Sequence, residues 1–378
     1  MTVWIVNPFD NLPLEGFRPQ RYWLMAEAFV DAGHDVVYWT SDFSHASKRK
    51  REMISPLPTA FELRLIPTPP YARNVSFSRV RSHRAYAREW VRLARAEPER
   101  PDLIVASMPT LSAAAAALRL GRERGAKVVV DVMDAWPETF ERLAPKGLGG
   151  LVRLLLAPLR REARRIYREA DLVTGVCERY RALTGRTDYC LAYHGVELGA
   201  GGCQATGRKD TAGNRSIRLA YAGNLGRTYD LETVLKAVAG NRDFTLDIAG
   251  RWERPVPERV TAHGYLGQEA LQRLLASADV GVIPMNADSW VGIPYKLCDY
   301  AKAGLRIVSS LGGESSELLK KYGCGETYRT GDALSFAAAV RKAMTDCPSR
   351  EMCEREFDGE KIYAAYVKRC LCAGDEKP

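Results

Sequence analysis

The sequence predicts an α/β protein with two Rossmann-like domains, each a parallel sheet covered by helices. The chain has 378 residues, which is long for a single hydrophobic core. Short apolar runs alternate with amphipathic segments in both halves, and a segment rich in glycine and polar residues, 199–215, separates the halves. Such alternation is typical of parallel sheets with helices on both faces.

The first half contains five apolar runs that fit buried strands, with helical patterns between them. Gly33 follows the first helical pattern, where glycine readily adopts the left-handed turn that ends a helix. The predicted strands are 3–6, 35–40, 103–106, 127–132 and 172–176, and the predicted helices are 21–32, 112–125 and 149–169.

The second half repeats this architecture without repeating the sequence. Its predicted strands are 218–222, 245–249, 280–284 and 306–309, and its predicted helices are 231–239, 269–276, 295–303 and 334–343. A last helix, 360–372, has no strand after it. We therefore predict a first domain at 1–200, a second at 201–358, and a terminal helix in 359–378 that can cross back to the first domain.

Composition narrows the class of protein. The net charge is +9, the apolar fraction is 46% and the charged fraction is 27%, which are ordinary values for a soluble protein. The nine cysteines include no C-x-x-C pair, and neither a signal peptide nor a membrane span is recognisable. We expect reduced thiols and a cytoplasmic location. Most of the excess charge lies in residues 1–200, which favours either an anionic partner or a solvated basic surface.

The segment with the strongest chemical signal is Gly292-Ile293-Pro294-Tyr295-Lys296, which follows the predicted strand 280–284. A helix that begins near Pro294 presents free backbone amides and the positive end of its dipole, and both favour a diphosphate. Lys296 adds a positive charge in the first turn, and Asp299, one turn later, can accept hydrogen bonds from ribose hydroxyls. A solvated Lys296 compensated by Asp299 explains the spacing equally well.

A second segment, Tyr221-Ala222-Gly223-Asn224-Leu225-Gly226-Arg227, follows the first strand of the second half. Together with 292–300 it resembles the donor-site motifs of family 4 glycosyltransferases, which have the GT-B fold, and the resemblance extends over nearly the whole chain. Asp299 occupies the position of the family's ribose-binding glutamate. Val291 replaces an acid that normally contacts the donor sugar, and Tyr229 replaces a lysine.

The resemblance implies a retaining transfer in which Arg227 and Lys296 stabilise the leaving diphosphate without a metal or another cofactor. A donor phosphate oxygen then takes the acceptor proton, so that no dedicated protein base is required. The implied donor-binding residues are Gly16, Gly223, Asn224, Arg227, Gly250, Gly264, Tyr265, Leu266, Gly292, Ile293, Pro294, Tyr295, Lys296 and Asp299.

In the first half, Asp134-Ala135-Trp136-Pro137 resembles a segment of bacterial family members that build lipid-linked polysaccharides. This resemblance implies a catalytic role for Asp134, which would bind substrate hydroxyls. A helix-capping aspartate is the competing interpretation. His194 is predicted to have no acid–base role. The candidate acceptor-binding residues are Arg18, Arg21, His45 and Lys48.

The predicted helix 149–169 is basic and amphipathic. Its apolar face is predicted to include Leu155, Leu159 and Ile166, and such a helix can rest on an acidic leaflet. Packing against the sheet with the arginines in water explains the pattern equally well. The arginines concerned are Arg160, Arg161, Arg164, Arg165 and Arg168.

Taken with the resemblance, the sequence predicts transfer of a hexose or N-acetylhexosamine from a nucleotide-sugar, UDP-linked, to a saccharide or lipid-pyrophosphate-linked acceptor. The expected setting is bacterial surface polysaccharide synthesis, with peripheral contact at the inner face of the plasma membrane. One alternative is a sugar-nucleotide 2-epimerase with the same fold. The other is a basic nucleic-acid-binding protein, which would need basic and aromatic residues interleaved on one face.

Overall fold

The computed structural model describes residues 1–52, 59–143, 149–198, 216–223, 226 and 228–373. The chain divides into two compact units, one containing residues 1–195 and 360–378, and the other containing residues 196–359. The backbone N–H of Val196 donates to the carbonyl oxygen of Phe357 at 2.9 Å, which joins the two ends of the second unit. The predicted linker 199–215 lies outside the described residues.

The first unit is a seven-stranded parallel sheet with strand order β3-β2-β1-β4-β5-β6-β7. All the strands and helices predicted for this half are present, with bounds that differ by at most a few residues. Its elements are β1 (Thr2–Val6), α1 (Arg21–Asp31), β2 (Asp35–Ser41), β3 (Glu62–Ile66), α2 (Phe77–Ala96), β4 (Leu103–Met108), α3 (Leu111–Arg124), β5 (Lys127–Val132), α4 (Gly149–Glu169), β6 (Leu172–Gly175), α5 (Arg179–Thr184) and β7 (Cys190–Leu191).

Helix α2 was not predicted, although it is 20 residues long. Its buried face consists of small and aromatic residues with helical spacing, among them Ser82, His83, Tyr86 and Trp90, and it carries no acidic residue in its first turn. The many arginines on its other face obscure the periodic pattern that indicates a helix. The edge strand β3 was also missed, because it is fully buried only at Ile66.

The second unit is a six-stranded parallel sheet with strand order β10-β9-β8-β11-β12-β13. Its predicted strands and helices are also present, and the short elements β10, α9, β13 and α11 are additions. Its elements are β8 (Ile217–Ala222), α6 (Leu231–Gly240), β9 (Phe244–Ala249), β10 (Val260–Gly264), α7 (Gln268–Ala276), β11 (Val280–Ile283), α8 (Tyr295–Lys302), β12 (Arg306–Ser309), α9 (Glu314–Tyr322), β13 (Gly325–Thr327), α10 (Ala333–Ala343) and α11 (Arg350–Glu356).

The last helix, α12 (Gly359–Leu371), belongs to the first unit for nearly its whole length. Tyr363, Tyr366, Val367 and Cys370 are buried in the same apolar cluster as the residues of β1 and α1. The Tyr363 hydroxyl accepts a hydrogen bond from the backbone N–H of Gly195 at 3.0 Å. Helix α12 is therefore part of the core of the first unit.

Each sheet has one point at which the strand order reverses, between β1 and β4 in the first unit and between β8 and β11 in the second. Loops at the carboxyl ends of the strands diverge there and leave a crevice, which is where open α/β sheets bind ligands. These loops position the candidate site residues of each unit.

Two further properties concern the described residues of both units. None of the helices in the described ranges combines the length and apolarity needed to cross a membrane. The cysteines within those ranges are free thiols.

Candidate functional site

In the second unit, the predicted segment 292–296 forms the loop and first turn of α8. Pro294 has an extended backbone with ψ 150° and precedes the first helical residue, Tyr295. Ser315, at the start of α9, donates its hydroxyl proton to the carbonyl oxygen of Gly292, and the side chain of Ile293 is buried. The loop before α8 is therefore held from both sides, and the amino end of the helix is fixed in place.

Within the described ranges, the side chains that contact the Lys296 ammonium are two tyrosines. Its Nζ is 3.2 Å from the Tyr229 hydroxyl, and it lies over the ring of Tyr229, 4.7 Å from the centroid, and that of Tyr221, at 5.3 Å. Electron-rich ring faces stabilise a cation without neutralising it. The structure thus brings together Lys296 and Tyr229, which are distant in sequence, whereas the predicted sharing of the phosphate-binding role between Lys296 and Arg227 stays a prediction.

Gly223 completes this arrangement at the carboxyl end of β8. Its φ is +136°, a backbone conformation that residues other than glycine rarely adopt. A Cβ at this position would lie 2.6 Å from Lys296 Nζ. Glycine therefore leaves the space that the ammonium occupies. The predicted site residues Asn224 and Arg227 lie outside the described part of the chain.

Helix α8 is fixed by a tyrosine that sequence analysis did not identify. The buried Tyr300 hydroxyl accepts from the backbone N–H of Ala222 at 2.9 Å and lies 3.3 Å from the carbonyl oxygen of Val282. A Cβ on Gly281 would lie 2.5 Å from the Tyr300 ring, so that β11 carries a glycine where the ring packs. A lone glycine inside a predicted strand was the available signal.

Other predicted donor residues of this unit lie at the carboxyl ends of β9 and β10 or in α8. Gly250, with φ +145°, donates its N–H to the carbonyl oxygen of Gly264 at 2.7 Å. Tyr265 is exposed and Leu266 is half-buried. Asp299 is half-buried in α8, one turn after Lys296. Its ribose-binding role stays a prediction.

In the first unit, Gly16 ends a short 3-10 helix, Pro13–Glu15, in a left-handed conformation with φ +80°. Arg18 follows it, is half-buried and donates from Nη1 to the carbonyl oxygen of Pro19 at 3.1 Å. Both lie on the loop after β1, as predicted, and their ligand roles stay predictions.

Arg21 is the first residue of α1, as predicted, but it lies in the core of the first unit. Its side chain is 0% exposed, and its guanidinium pairs with both oxygens of Asp131 at 2.8 Å and donates to the carbonyl oxygens of Ala192 and Tyr193. Burial alone would raise the pKa of Asp131, but the charge and hydrogen bonds of Arg21 outweigh it and lower that pKa. The charge of Arg21 is therefore already paired in the core, and its acceptor-binding role stays a prediction.

Asp134 lies on the loop after β5, and the peptide bond between Trp136 and Pro137 is cis. The Thr139 hydroxyl is 3.3 Å from an Asp134 carboxylate oxygen, and burial raises the pKa of Asp134. The carboxyl is held at the carboxyl end of the sheet, and its catalytic role stays a prediction. His194 is buried, and burial together with the charges of Arg21 and Arg18 lowers its pKa.

The predicted acceptor residues His45 and Lys48 are neighbours on the loop after β2. Lys48 Nζ is 3.3 Å from His45 Nδ1 and donates to Asn74 Oδ1 at 2.7 Å. Burial and the nearby cations lower the pKa of His45 to about 3, so that the imidazole is neutral at physiological pH. Arg79 and His83 on α2 lie beside this pair and were missed, because the helix itself was missed.

Helix α4 buries only part of its predicted apolar face. Ile166 is buried, whereas Leu155 and Leu159 are 68% and 40% exposed, and the adjacent Leu154 is 70% exposed. Arg160 pairs with Glu141 and lies 3.6 Å from Glu138. The predicted apolar face therefore divides into a buried end, near Ile166, and an exposed beginning.

Clusters of three or more His, Cys, Asp or Glu side chains suited to holding a metal ion do not occur in the ranges that the structure describes.

Comparisons with known proteins agree with this architecture. Residues 20–189 match the family model of a glycosyl transferase 4-like domain, and residues 216–346 match that of glycosyl transferases group 1. A comparison with curated protein sequences finds no match.

Among solved structures, sucrose-phosphate synthase from Thermosynechococcus elongatus is similar, with 14% identity, a TM-score of 0.74 and coverage of 98% of this chain and 99% of that one. Anabaena HepE in complex with UDP and glucose has 12% identity, a TM-score of 0.65 and coverage of 98% and 99%. The catalytic domain of starch synthase IV from Arabidopsis thaliana, bound to ADP and acarbose, has 12% identity, a TM-score of 0.62 and coverage of 99% of both chains. With one glycosyltransferase domain matched in each unit, the chain is a glycosyltransferase with the GT-B fold.

Proposed function

We propose that this glycosyltransferase transfers a hexose or N-acetylhexosamine, with retention of configuration, from a UDP-sugar to a saccharide or lipid-linked acceptor. The observation that carries the proposal is the position of the Lys296 ammonium. Lys296 lies in the first turn of α8, and its ammonium contacts the Tyr229 hydroxyl and occupies the space beside Gly223. A fixed cation at the amino end of a helix, where the helix dipole is positive, is suited to the leaving diphosphate. UDP is favoured because a similar structure, Anabaena HepE, holds UDP and glucose.

Lys296 supplies positive charge where the leaving group would form, so we propose that transfer needs no bound metal. Activity that survives an excess of EDTA is the expected result. Complete loss of activity in EDTA, restored by added Mg²⁺ or Mn²⁺, would contradict this part of the proposal.

The donor is identified by thermal unfolding of the full-length chain with a panel of UDP-, ADP- and GDP-sugars. A bound donor stabilises the fold by mass action, so the correct nucleotide-sugar raises Tm in proportion to the logarithm of its concentration. Replacement Lys296→Ala should abolish most of that rise. Lys302→Ala, in the last turn of the same helix, is the matched control and should keep it. An equal rise in both variants would exclude Lys296 from the donor site.

The reaction is tested with the donor found in this way and a panel of acceptors. NMR of the product should show the donor's anomeric configuration in the new linkage. Free nucleotide with an epimerised sugar and no glycosylated product would instead identify a 2-epimerase.

We further propose that the enzyme works at the cytoplasmic face of the plasma membrane in surface polysaccharide synthesis. The exposed Leu154 and Leu155 lie on the same helix as the exposed arginines Arg161, Arg164 and Arg168. Exposed apolar side chains beside positive charges suit an acidic leaflet. The double replacement of Leu154 and Leu155 by serine should abolish cosedimentation with phosphatidylglycerol vesicles. Leu334→Ser, at an 84% exposed leucine of the second unit, is the control.

A further inference from the structure

Basic and aromatic side chains converge at the carboxyl ends of the strands in the first unit. They come from the loops after β1, β2 and β5 and from the first two turns of α2. We call this group the cation–aromatic cluster, and it consists of Phe9, His45, Lys48, Arg79, His83 and Trp136.

Arg79 is the centre of the cation–aromatic cluster. Its guanidinium carbon is 4.7 Å from the centroid of the Trp136 ring and 5.4 Å from that of Phe9. Its Nε donates to His83 Nε2 at 3.3 Å, and Nη1 donates to the carbonyl oxygen of Asn74 at 2.8 Å. Every one of these partners is neutral.

Lys48 is surrounded in the same way. Its Nζ lies 4.7 Å from the centroid of the Tyr71 ring and has His45 Nδ1 and Asn74 Oδ1 as hydrogen-bond partners. Burial, and next the charge of Arg79, lowers the pKa of Lys48 to about 8. Burial and Arg79 also lower the pKa of His83 to about 3, which keeps that imidazole neutral.

The cluster therefore holds two cations for which no carboxylate of the described residues is an ion-pair partner. Other arginines of this unit do have such partners, such as Arg51 with Glu15 and Arg95 with Glu123. The acid whose charge reaches Arg79 is Asp134, which forms no ion pair with it and whose pKa is raised by burial. Two partly buried like charges are unfavourable together unless an anion joins them.

The cations also retain hydrogen-bond donors. Hydrogen bonds to His83, Asn74 and Tyr71 use three of about five N–H donors of Arg79, and those of Lys48 use two of about three. Charge-assisted bonds from such donors to phosphate oxygens are among the stronger ones in proteins. Lys48, Arg79 and Trp136 are all half-buried, so a ligand can reach them without unfolding the loops.

We propose that the cation–aromatic cluster binds a phosphate or diphosphate group and, resting on the proposed function, that this group belongs to the acceptor. The acceptor is then an anionic, phosphorylated molecule rather than a neutral saccharide. Arg79 and Lys48 bind the phosphate oxygens, and the rings of Phe9 and Trp136 hold Arg79 in position.

The test is calorimetric titration of the full-length protein with inorganic pyrophosphate at fixed ionic strength, which requires no turnover. We expect Arg79→Gln and Lys48→Gln each to weaken one class of site about tenfold or more, because each removes a charge-assisted donor. Arg81→Gln, two residues away on α2 and exposed, is the matched control and should bind as the wild type does. Lys296→Ala, in the other unit, should leave this class of site unchanged.

Wild-type binding in both the Arg79→Gln and Lys48→Gln variants, each shown to be folded by circular dichroism, would overturn the proposal. Loss of all pyrophosphate binding in Lys296→Ala would overturn it too. Displacement of pyrophosphate by UDP in the Lys296→Ala variant would assign the site to the donor and not to the acceptor. A failed donor screen with intact pyrophosphate binding would instead count against the proposed function alone.

Discussion

Arg21 and Lys296 occupy comparable places in the two units, yet their surroundings are opposite. Each lies in the first turn of a helix that follows a loop from a parallel strand. Arg21 is fully buried and paired with Asp131, whereas Lys296 is half-buried and lies against Tyr229 and Tyr221. A buried cation with its own carboxylate stabilises the fold, and a cation held only by neutral groups remains available to an anionic ligand.

Arg79 of the first unit also differs from Arg21 in its surroundings. Arg21 and Arg79 both lie near the carboxyl ends of the strands, but the acid near Arg79 does not pair with it. Residue type and position at a helix start therefore do not decide whether a cation is paired in the fold. The neighbouring strands decide it, because they do or do not place a carboxylate beside the cation.

The largest expected effect concerns stability. Asp131→Asn leaves the Arg21 guanidinium buried without its counter-charge, which should lower the free energy of unfolding of the first unit by about 3–5 kcal/mol. Denaturant unfolding measures this. Glu123→Gln, in the exposed pair with Arg95, is the control and should change stability little. If Asp131→Asn and the wild type unfold at the same denaturant midpoint, the pair with Asp131 does not stabilise the fold.

The same pair predicts an acid dependence. The pKa of Asp131 is lower in the folded protein than in the unfolded chain, where it is about 4. The stabilisation by the ionised carboxylate is therefore fully present above about pH 4 and is lost as pH falls through the pKa of the folded state. The difference in unfolding free energy between wild type and Asp131→Asn should therefore shrink below about pH 4. A constant difference between pH 7 and pH 3 would mean that another group is responsible.

Turnover should respond to Gly223. In Gly223→Ala the new Cβ would lie 2.6 Å from Lys296 Nζ, which must move, and the backbone at φ +136° is strained. We expect a fall in kcat of about tenfold, because a displaced cation stabilises the leaving group less well. Gly240→Ala, at the end of α6 with open space around it, is the control. Equal kcat in the two variants would show that the position of the ammonium does not matter.

The smallest effect is expected at Tyr300. Tyr300→Phe removes the hydroxyl that accepts from Ala222 N–H and should reduce the stability of the second unit by about 1 kcal/mol. Thermal unfolding measures the loss, and Tyr265→Phe, at an exposed tyrosine, should show none. A change in donor KM without any loss of stability would instead place Tyr300 in direct contact with the donor.

Much of the fold was predictable because strand and helix periods are local properties of the sequence. The long buried strands, such as β4 and β5, and helices α3 and α4 follow from those periods directly. Helix α2 did not, since its buried face relies on His83, Tyr86 and Trp90 between arginines. The edge strands β3 and β13 were missed because they are short and only partly buried.

The candidate site was predictable to a similar degree. The segment before α8 and the glycine after β8 were identified from their order along the chain, and the structure brings Lys296, Gly223 and Tyr229 together. Tyr300 lies within the predicted segment 292–300, but its packing role was not identified, and Arg79 was missed together with helix α2. Their roles depend on what packs beside them.

The two-unit α/β architecture, the order of strands and helices along the chain, and the loops that hold the candidate site residues could all be predicted from local sequence patterns. Which basic side chains are paired depends on the folded sheet, because Arg21 and Asp131 are 110 residues apart and Lys296 and Tyr229 are 67 apart. Local periodicity places a residue on a helix or strand, whereas its counter-charge is set by strand order in the folded sheet. That order made Arg21 part of the core and left Lys296 and Arg79 without a carboxylate partner among the residues described.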